Sequence, residues 1–471
     1  MSPWHGDLPP LHLCCSERYI ECVRCLIRNG VDFNRITQLG SPLSIASSTG
    51  CMDIVQLLLE NGANINTVDG RYGSALAAAS STSKAEIVLL LLQNGADVNL
   101  AGGENGSALA TASYRGTAEI VHLLLENGAN VNLGGGQHGS PLAFASNRGA
   151  LETIHILLEN GANVNLVCGI YGSALAAASL SGKAEIVRVL LQNGADVNLA
   201  GGEYGSALAT ASYKGTAEIV RLLLENGADV NLAGGEYGSA LATASFWGNT
   251  ENVCILLNYG ANVNLAGGKY GSALATASCM GAPQIVHILL ENGAEVNFAG
   301  GHYGSALAAA SSGFNTEIVH ILLQNGADVN LAGGEYGNAL AAASYWGRVE
   351  IVLLLLDNGA DVNLAGGKYG SALAAASYRS KEIIRLLLEN GANVNLSGGD
   401  YGSALAAACA SPFAWCRPMQ TVHLLLENGA DLESQGARAL EEASERGDTD
   451  LVAFLRRRLD GVVSDADDDT D

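Results

Sequence analysis

Basic residues are scarce in this chain, long apolar runs are missing, and aromatic side chains make up only 6% of it. Each shortage excludes something. With 24 Lys and Arg against 47 Asp and Glu among 471 residues, the formal charge is -23. That is the wrong sign for nucleic acid or an anionic membrane surface, both of which attract clustered Lys and Arg. A neutral or basic protein partner is expected, with no nucleic acid and no membrane. No stretch approaches the roughly eighteen apolar residues of a membrane span, and the opening MSPWHGDLPP has neither a basic region nor a continuous apolar one. The ten cysteines are scattered and fall mostly where neighbouring copies of a repeat carry Ala, Ser, Ile or Leu. That suits reduced thiols in a packed core. The expected location is cytoplasmic, with the nucleus left open.

What the chain has in excess is glycine, 59 residues, well above the roughly 7% of average proteins. The glycines fall in register. A Gly-Ser-Ala/Pro-Leu tetrapeptide, with Asn338 in place of Ser in one copy, puts its Leu at 43, 76, 109, 142, 175, 208, 241, 274, 307, 340 and 373, at a constant interval of 33 residues. Leu11 comes 32 residues earlier, and Leu405 and Leu440 follow at spacings of 32 and 35. About fourteen units therefore tile residues 1–459, and 460–471 reads as an acidic disordered tail.

In the unit from Gly194, GADVNLAGGEYG leads into SALATASYK, then Gly215, then TAEIVRLLLEN. Ser206 is placed to cap a first helix, because its hydroxyl can accept from an unpaired amide in the first turn. The Ala-Leu-Ala-Thr-Ala run keeps that helix slim enough for another backbone to approach, and Gly215 ends it. The second helix, 217–225, carries Ile219, Val220, Leu222, Leu223 and Leu224 as an apolar stripe, and Asn226-Gly227 supplies a left-handed end. Two helices this short bury too little to stand alone, so stability is shared by stacking along a one-dimensional array.

A 33-residue helix-turn-helix-loop unit followed by Gly-Ala-Asp-Val-Asn resembles the ankyrin repeat, over residues 10 to about 459. The family's Thr-Pro-Leu-His motif survives in part as Pro10-Leu11-His12, Ser41-Pro42-Leu43 and Ser140-Pro141-Leu142, and elsewhere becomes Ser-Ala-Leu-Ala. The GxYGSAL variant looks like repeats found in fungal proteins, often in C-terminal arrays of NACHT-type receptors. The resemblance implies an all-α ankyrin solenoid whose Gly-Gly-x-Tyr-Gly loop is a projecting hairpin-like finger, with glycine permitting positive φ. As a phosphate cradle that loop fails. Lys269 and Lys368 precede their glycine, the reverse of the order in GxxxxGK[ST], and no strand leads in. Calcium is equally disfavoured, because the nonapeptide calcium repeat has a different period.

Specificity in such an array lies where units differ. The finger column holds Tyr72, Tyr171, Tyr204, Tyr237, Tyr270, Tyr303, Tyr336, Tyr369 and Tyr401, interrupted by Asn105 and His138. Its uniformity suits a structural ladder, although Tyr is also favoured at interfaces. The end of the first helix varies more, through Tyr114-Arg115, Tyr213-Lys214, Phe246-Trp247, Cys279-Met280, Tyr345-Trp346 and Tyr378-Arg379. Large aromatics and Arg at such positions resemble interface hot spots. The expected protein-binding residues are Tyr114, Tyr204, Tyr213, Tyr237, Phe246, Trp247, Tyr270, Tyr336, Tyr345, Trp346 and Tyr378.

Other candidates fall away. His122, His155, His287, His320 and His423 share one column of the second helix, but successive copies are about 8 to 10 Å apart, too far for one Zn²⁺. Cys14, Cys15, Cys22 and Cys25 include a C-x-x-C, yet they replace Ala, Ser, Ile and Leu of packed helix faces, so no metal is expected. The recurring Glu of the second helix and Asp of Gly-Ala-Asp read as helix-terminal charges. No unique catalytic cluster appears, so neither an enzyme nor a cofactor is expected. Residues 410–419 hold a five-residue insertion with Phe413 and Trp415. The last unit shortens its finger to Ser434-Gln435-Gly436 and ends in an amphipathic cap, 451–458. The chain is expected to bind protein partners along a concave, finger-lined face. The rivals are a passive spacer or elastic solenoid, the sensor fragment of a larger NACHT-type receptor, and an enzyme lacking its catalytic domain.

Overall fold

The computed structural model describes residues 8–82, 84–136, 139–411 and 418–460. Among them the chain is helical throughout, with 28 helices from Pro10–Ser16 to Thr449–Leu459 and only isolated β-bridges. Gln137, His138, Phe413, Trp415 and the acidic run after Asp460 lie outside the described residues. The chain forms two compact units, Met1–Gly235 and Glu236–Asp471. Within each, the first (inner) helix of a repeat packs on the inner helix of the next, and the second (outer) helix on the next outer helix.

The repeat from Gly194 shows why these residues fold this way. Ser206 Oγ accepts a hydrogen bond from the Ala209 N–H at 3.1 Å and starts the inner helix Ala207–Lys214. Asn338 does the same at 2.8 Å from the Ala341 N–H, so the odd copy keeps its cap. All of Ala207 to Ser212 is buried, and the Ser212 hydroxyl turns back to the Leu208 carbonyl at 2.8 Å. No buried hydroxyl is wasted there. The outer helix Ala217–Glu225 buries Ile219, Val220, Leu223 and Leu224 and leaves Leu222 half-buried. It ends when the Gly227 and Ala228 amides bond back to the Leu224 and Leu223 carbonyls at 3.1 and 3.0 Å, the paired bonds that close a left-handed helix end.

Two glycines in this repeat serve different needs. Gly227 has φ +85 with nothing within 4 Å of a notional Cβ, so backbone conformation alone selects it. Gly205 has φ +86, and a Cβ there would sit 2.4 Å from the Gly235 nitrogen of the next finger. Neighbouring fingers touch backbone to backbone, which only glycine permits.

The asparagine of Val-Asn-Leu, whose role no local pattern announces, ties repeats together. Asn198 Oδ1 accepts from the Asp229 N–H at 2.7 Å while its Nδ2 donates to the Gly227 carbonyl at 3.1 Å. Asn165 in the same unit and Asn264, Asn297 and Asn330 in the other repeat both bonds. Asp196 of Gly-Ala-Asp is not a helix-terminal charge. Its Oδ1 accepts from the Asn198 N–H at 2.9 Å, a tight local turn that aims the next amide.

The array ends depart from expectation. Cys22 and Cys25 are exposed on the outer helix Ile20–Arg28, because no earlier repeat among the described residues covers that face. The last unit has no finger. Asp431 caps a helix that runs Leu432–Glu445 straight through Ser434-Gln435-Gly436, since this copy lacks the Gly-Gly that turns the others. Gly436 lets that helix close on Leu459, whose Cδ2 lies 2.9 Å from where a Cβ would be.

Both kinds of glycine and the amide bridge are open to test by urea denaturation. Gly227→Ala costs about 1 to 2 kcal/mol, the left-handed penalty, while Gly205→Ala adds about 1 to 3 kcal/mol of overpacking to it. Equal costs would contradict the contact between fingers. Asn198→Ala, which removes two hydrogen bonds between repeats, lowers stability by about 1 to 3 kcal/mol.

Candidate interaction surface

The fingers form a ladder of their own. In the unit Glu236–Asp471, the amide of the residue before each finger tyrosine donates to the carbonyl of its counterpart one repeat earlier. Lys269 bonds to Glu236, His302 to Lys269, Glu335 to His302, Lys368 to Glu335 and Asp400 to Lys368, at 2.6 to 2.9 Å. Glu335 sits between a histidine and a lysine of the flanking fingers. Glu335 Oε2 lies 3.1 Å from His302 Nδ1, and its Oε1 lies 3.9 Å from Lys368 Nζ.

This register stacks the tyrosines. Ring centroids from Tyr237 through Tyr270, Tyr303, Tyr336 and Tyr369 to Tyr401 are 6.5, 6.2, 5.9, 6.3 and 5.8 Å apart, with planes within 25° of parallel, an offset-stacked geometry. Tyr237, Tyr270 and Tyr336 keep only 7%, 9% and 5% of their surface exposed. The structure thus places these three expected binding residues inside the ladder, where they have little surface to offer.

The first residue at each inner-helix end wedges into that ladder. Phe246 lies 4.5 Å from Tyr237 and 5.6 Å from Tyr270, and Tyr345 lies 5.2 Å from Tyr336 and 4.8 Å from Tyr369. Tyr378 sits 5.6 and 5.7 Å from Tyr369 and Tyr401. In the other unit, Tyr213 stacks on Tyr204 at 4.4 Å, and Tyr114 meets the edge of Phe144 at 5.6 Å with Arg148 over its ring at 5.2 Å. These rings are half-buried. They brace the fingers and show one edge.

The second residue at each inner-helix end points outward. Trp247 is 46% and Met280 45% exposed. Trp346 is half-buried, edge-on to Tyr345 at 5.4 Å, with the Arg379 guanidinium 5.2 Å from its ring centroid. Sequence reasoning missed the neighbour of this column, Phe314, which is 85% exposed. It stands in the turn where sister repeats carry the helix-ending glycine, so a large apolar residue at a glycine position was the available signal. Arg348 stacks over it, 3.2 Å from the ring centroid, and donates from Nε to the Ser312 carbonyl at 3.3 Å. Burial first, then the charge of Arg379, lowers the affinity of the Arg348 guanidinium for its proton.

Nothing gathers the rejected metal candidates. His122, His155, His287 and His320 are exposed and His423 packs on Phe454 at 4.5 Å. No group of three or more metal-ligating side chains occurs among the described residues, and no helix among them is long and apolar enough to cross a membrane.

Stacked helix pairs with projecting fingers define a helical repeat solenoid. The family model for ankyrin repeats (3 copies) matches residues 5–69, 74–168, 142–234, 174–267, 208–300, 274–366, 306–398 and 371–465, and the chain belongs to that family. It is 39% identical over 64 residues to ankyrin repeat and SOCS box protein 5 of Bos taurus, a match covering 13% of this chain and 20% of that protein. It is also similar to the crystal structure of the human ASB11 ankyrin repeat domain, at 31% identity and a TM-score of 0.40, over 47% of this chain and 99% of that one. Ankyrin repeat proteins are typically non-enzymatic modules for protein–protein interaction.

Burial pushes the Tyr270 and Tyr336 hydroxyls up to about 12. A group that ionises later folded than unfolded stabilises the fold below its unfolded value, near 10, and loses that contribution as pH rises through the folded one. Stability is therefore expected to fall between about pH 10 and 12. Ultraviolet titration should show Tyr270 and Tyr336 ionising only well above the ordinary tyrosine value near 10. Simultaneous ionisation of all tyrosines in folded protein would contradict the burial.

Proposed function

We propose that this protein recognises another protein through the finger and inner-helix-end face, with Trp247, Met280 and Phe314 as the principal contacts of the unit Glu236–Asp471. The observation that carries this reading is that three consecutive repeats each expose a large apolar side chain at the same end of the inner helix. Scattered exposed apolar residues are ordinary, but aligned ones mark interaction sites. Aromatic and Arg side chains are the residues that dominate such interfaces, and Trp346 with Arg379 and Phe314 with Arg348 supply both. The half-buried Tyr114, Tyr204, Tyr213, Phe246, Tyr345 and Tyr378 contribute edges and fix the fingers that frame the contact.

The charge of -23 favours a partner that is neutral or basic overall. We place the encounter in the cytoplasm, and the array as the recognition portion of a larger receptor of the NACHT type is the arrangement its fungal-type GxYGSAL repeats favour. A passive spacer would account for the uniform ladders. It gives no reason for aligned exposed Trp, Met and Phe.

Affinity capture with wild-type protein beside Trp247→Ala/Phe314→Ala tests the reading. Specific partners are expected to be lost at least tenfold with the melting temperature nearly unchanged, because both side chains are surface-exposed. Trp346→Ala, which removes a ring packed on Tyr345, should lower both capture and melting temperature. Full capture by the double variant would overturn the reading.

A further inference from the structure

The tyrosine column breaks at Asn105, and the break leaves a slot. It is lined by Tyr72, Tyr114, Ser81, Thr111, Asn105, Arg115 and the Arg71–Glu104 pair, and its volume is about 220 Å³. The corresponding site three repeats on, lined by Tyr171, Tyr213, Leu180, Thr210 and Tyr204, measures about 110 Å³. The two sites are built from matching positions of the repeat. They differ in that Tyr204 stands where the first has Asn105, Leu180 where it has Ser81 and Ile170 where it has Arg71. The smaller site holds a ring, and a bulkier aliphatic side chain, where the larger one has neither.

That ring also shows how the slot is used. Tyr204 lies on Tyr213 with centroids 4.4 Å apart and planes 19° from parallel. Tyr114 is the counterpart of Tyr213, but Asn105 puts no ring against it. Asn105 instead reaches Thr111 Oγ1, with its Nδ2 donating at 3.4 Å. An apolar cavity of about 150 Å³ is enough for benzene, so the slot has room for one aromatic side chain and little more. At its rim, Arg115 is anchored by Nε donating to the Ser81 carbonyl at 2.8 Å and makes no ion pair among the described residues. Arg71 is already committed to Glu104 at 2.7 Å. The available cation is therefore Arg115.

We infer that this slot receives an aromatic side chain from a partner polypeptide, stacked on Tyr114 as Tyr204 stacks on Tyr213, with an adjoining carboxylate of the partner meeting Arg115. The inference rests on the reading of the protein as a recognition module, and it adds a second locus, in the unit Met1–Gly235. It names the partner chemistry there as an aromatic residue flanked by Asp, Glu or a chain-terminal carboxylate. A partner can be neutral or basic overall and still carry such a segment.

The test uses the full chain and small probes, so it does not depend on having the partner. N-acetyl-phenylalanine, N-acetyl-phenylalanine amide and N-acetyl-leucine are titrated by ligand-observed NMR. Wild type should bind the aromatic acid at least tenfold more tightly than the leucine acid, and more tightly than the aromatic amide. Asn105→Tyr fills the slot, so it should weaken the aromatic acid at least tenfold and raise the melting temperature. Tyr114→Leu, which removes the stacking face, should weaken it comparably, while Arg115→Gln should erase the preference of acid over amide and leave the ring bound. Equal binding of phenylalanine and leucine probes to wild type, or undiminished binding by both Asn105→Tyr and Tyr114→Leu, overturns the proposal. Neither result touches the Trp247 and Phe314 contacts, which the capture experiment judges separately.

Discussion

The fold depends on one steric fact, that consecutive fingers meet through their backbones. A Cβ on Gly238 would lie 2.4 Å from the Gly267 carbonyl carbon, and one on Gly271 2.5 Å from that of Gly300. Only glycine allows this approach, and in the unit Glu236–Asp471 it brings the amides of Lys269, His302, Glu335, Lys368 and Asp400 within bonding distance of the carbonyl one repeat back. The same register sets the tyrosine rings about 6 Å apart, so stacking and hydrogen bonding reinforce one geometry. The asparagine bridges fix the other edge of the loop to the next repeat. Between these two ties, an inner helix of Ala and Ser packs with almost no side-chain bulk.

Such an array separates scaffold from recognition. Residues that recur from unit to unit are consumed by contacts between repeats, as the buried Tyr237, Tyr270 and Tyr336 show. Residues such as Phe314 and Asn105, which break the pattern, lie outside the ladder contacts and reach the surface or leave space. Phe314 in place of a glycine becomes the most exposed large apolar side chain among the described residues of its unit, and Asn105 in place of a tyrosine opens a slot. Both proposed contact sites lie where the chain departs from its own repeat.

The same distinction explains what the sequence made legible. The 33-residue period, the Ser206 cap, the helix ends at Gly215 and Gly227 and the apolar stripe of 217–225 follow from local rules, and the structure has them where the pattern put them. Binding candidates were harder. Periodicity identified the aromatic columns, but which ring faces inward depends on the crossing of finger and helix, so buried Tyr336 and exposed Trp247 looked alike. The asparagine bridges were invisible because their partners lie about 30 residues away and nothing local demands an amide. The missing finger of the last unit went unread because a shortened loop and a helix starting at Leu432 share the same residues.

The central claim, that the fingers of the unit Glu236–Asp471 are rigid parts of one hydrogen-bonded ladder, is tested most directly by amide hydrogen exchange. The backbone amides of Lys269, His302, Glu335 and Lys368, though each lies in a loop beside solvent, should be protected to the same order as the amides of the outer helices. Exchange at these four positions as fast as in an unstructured loop would contradict it.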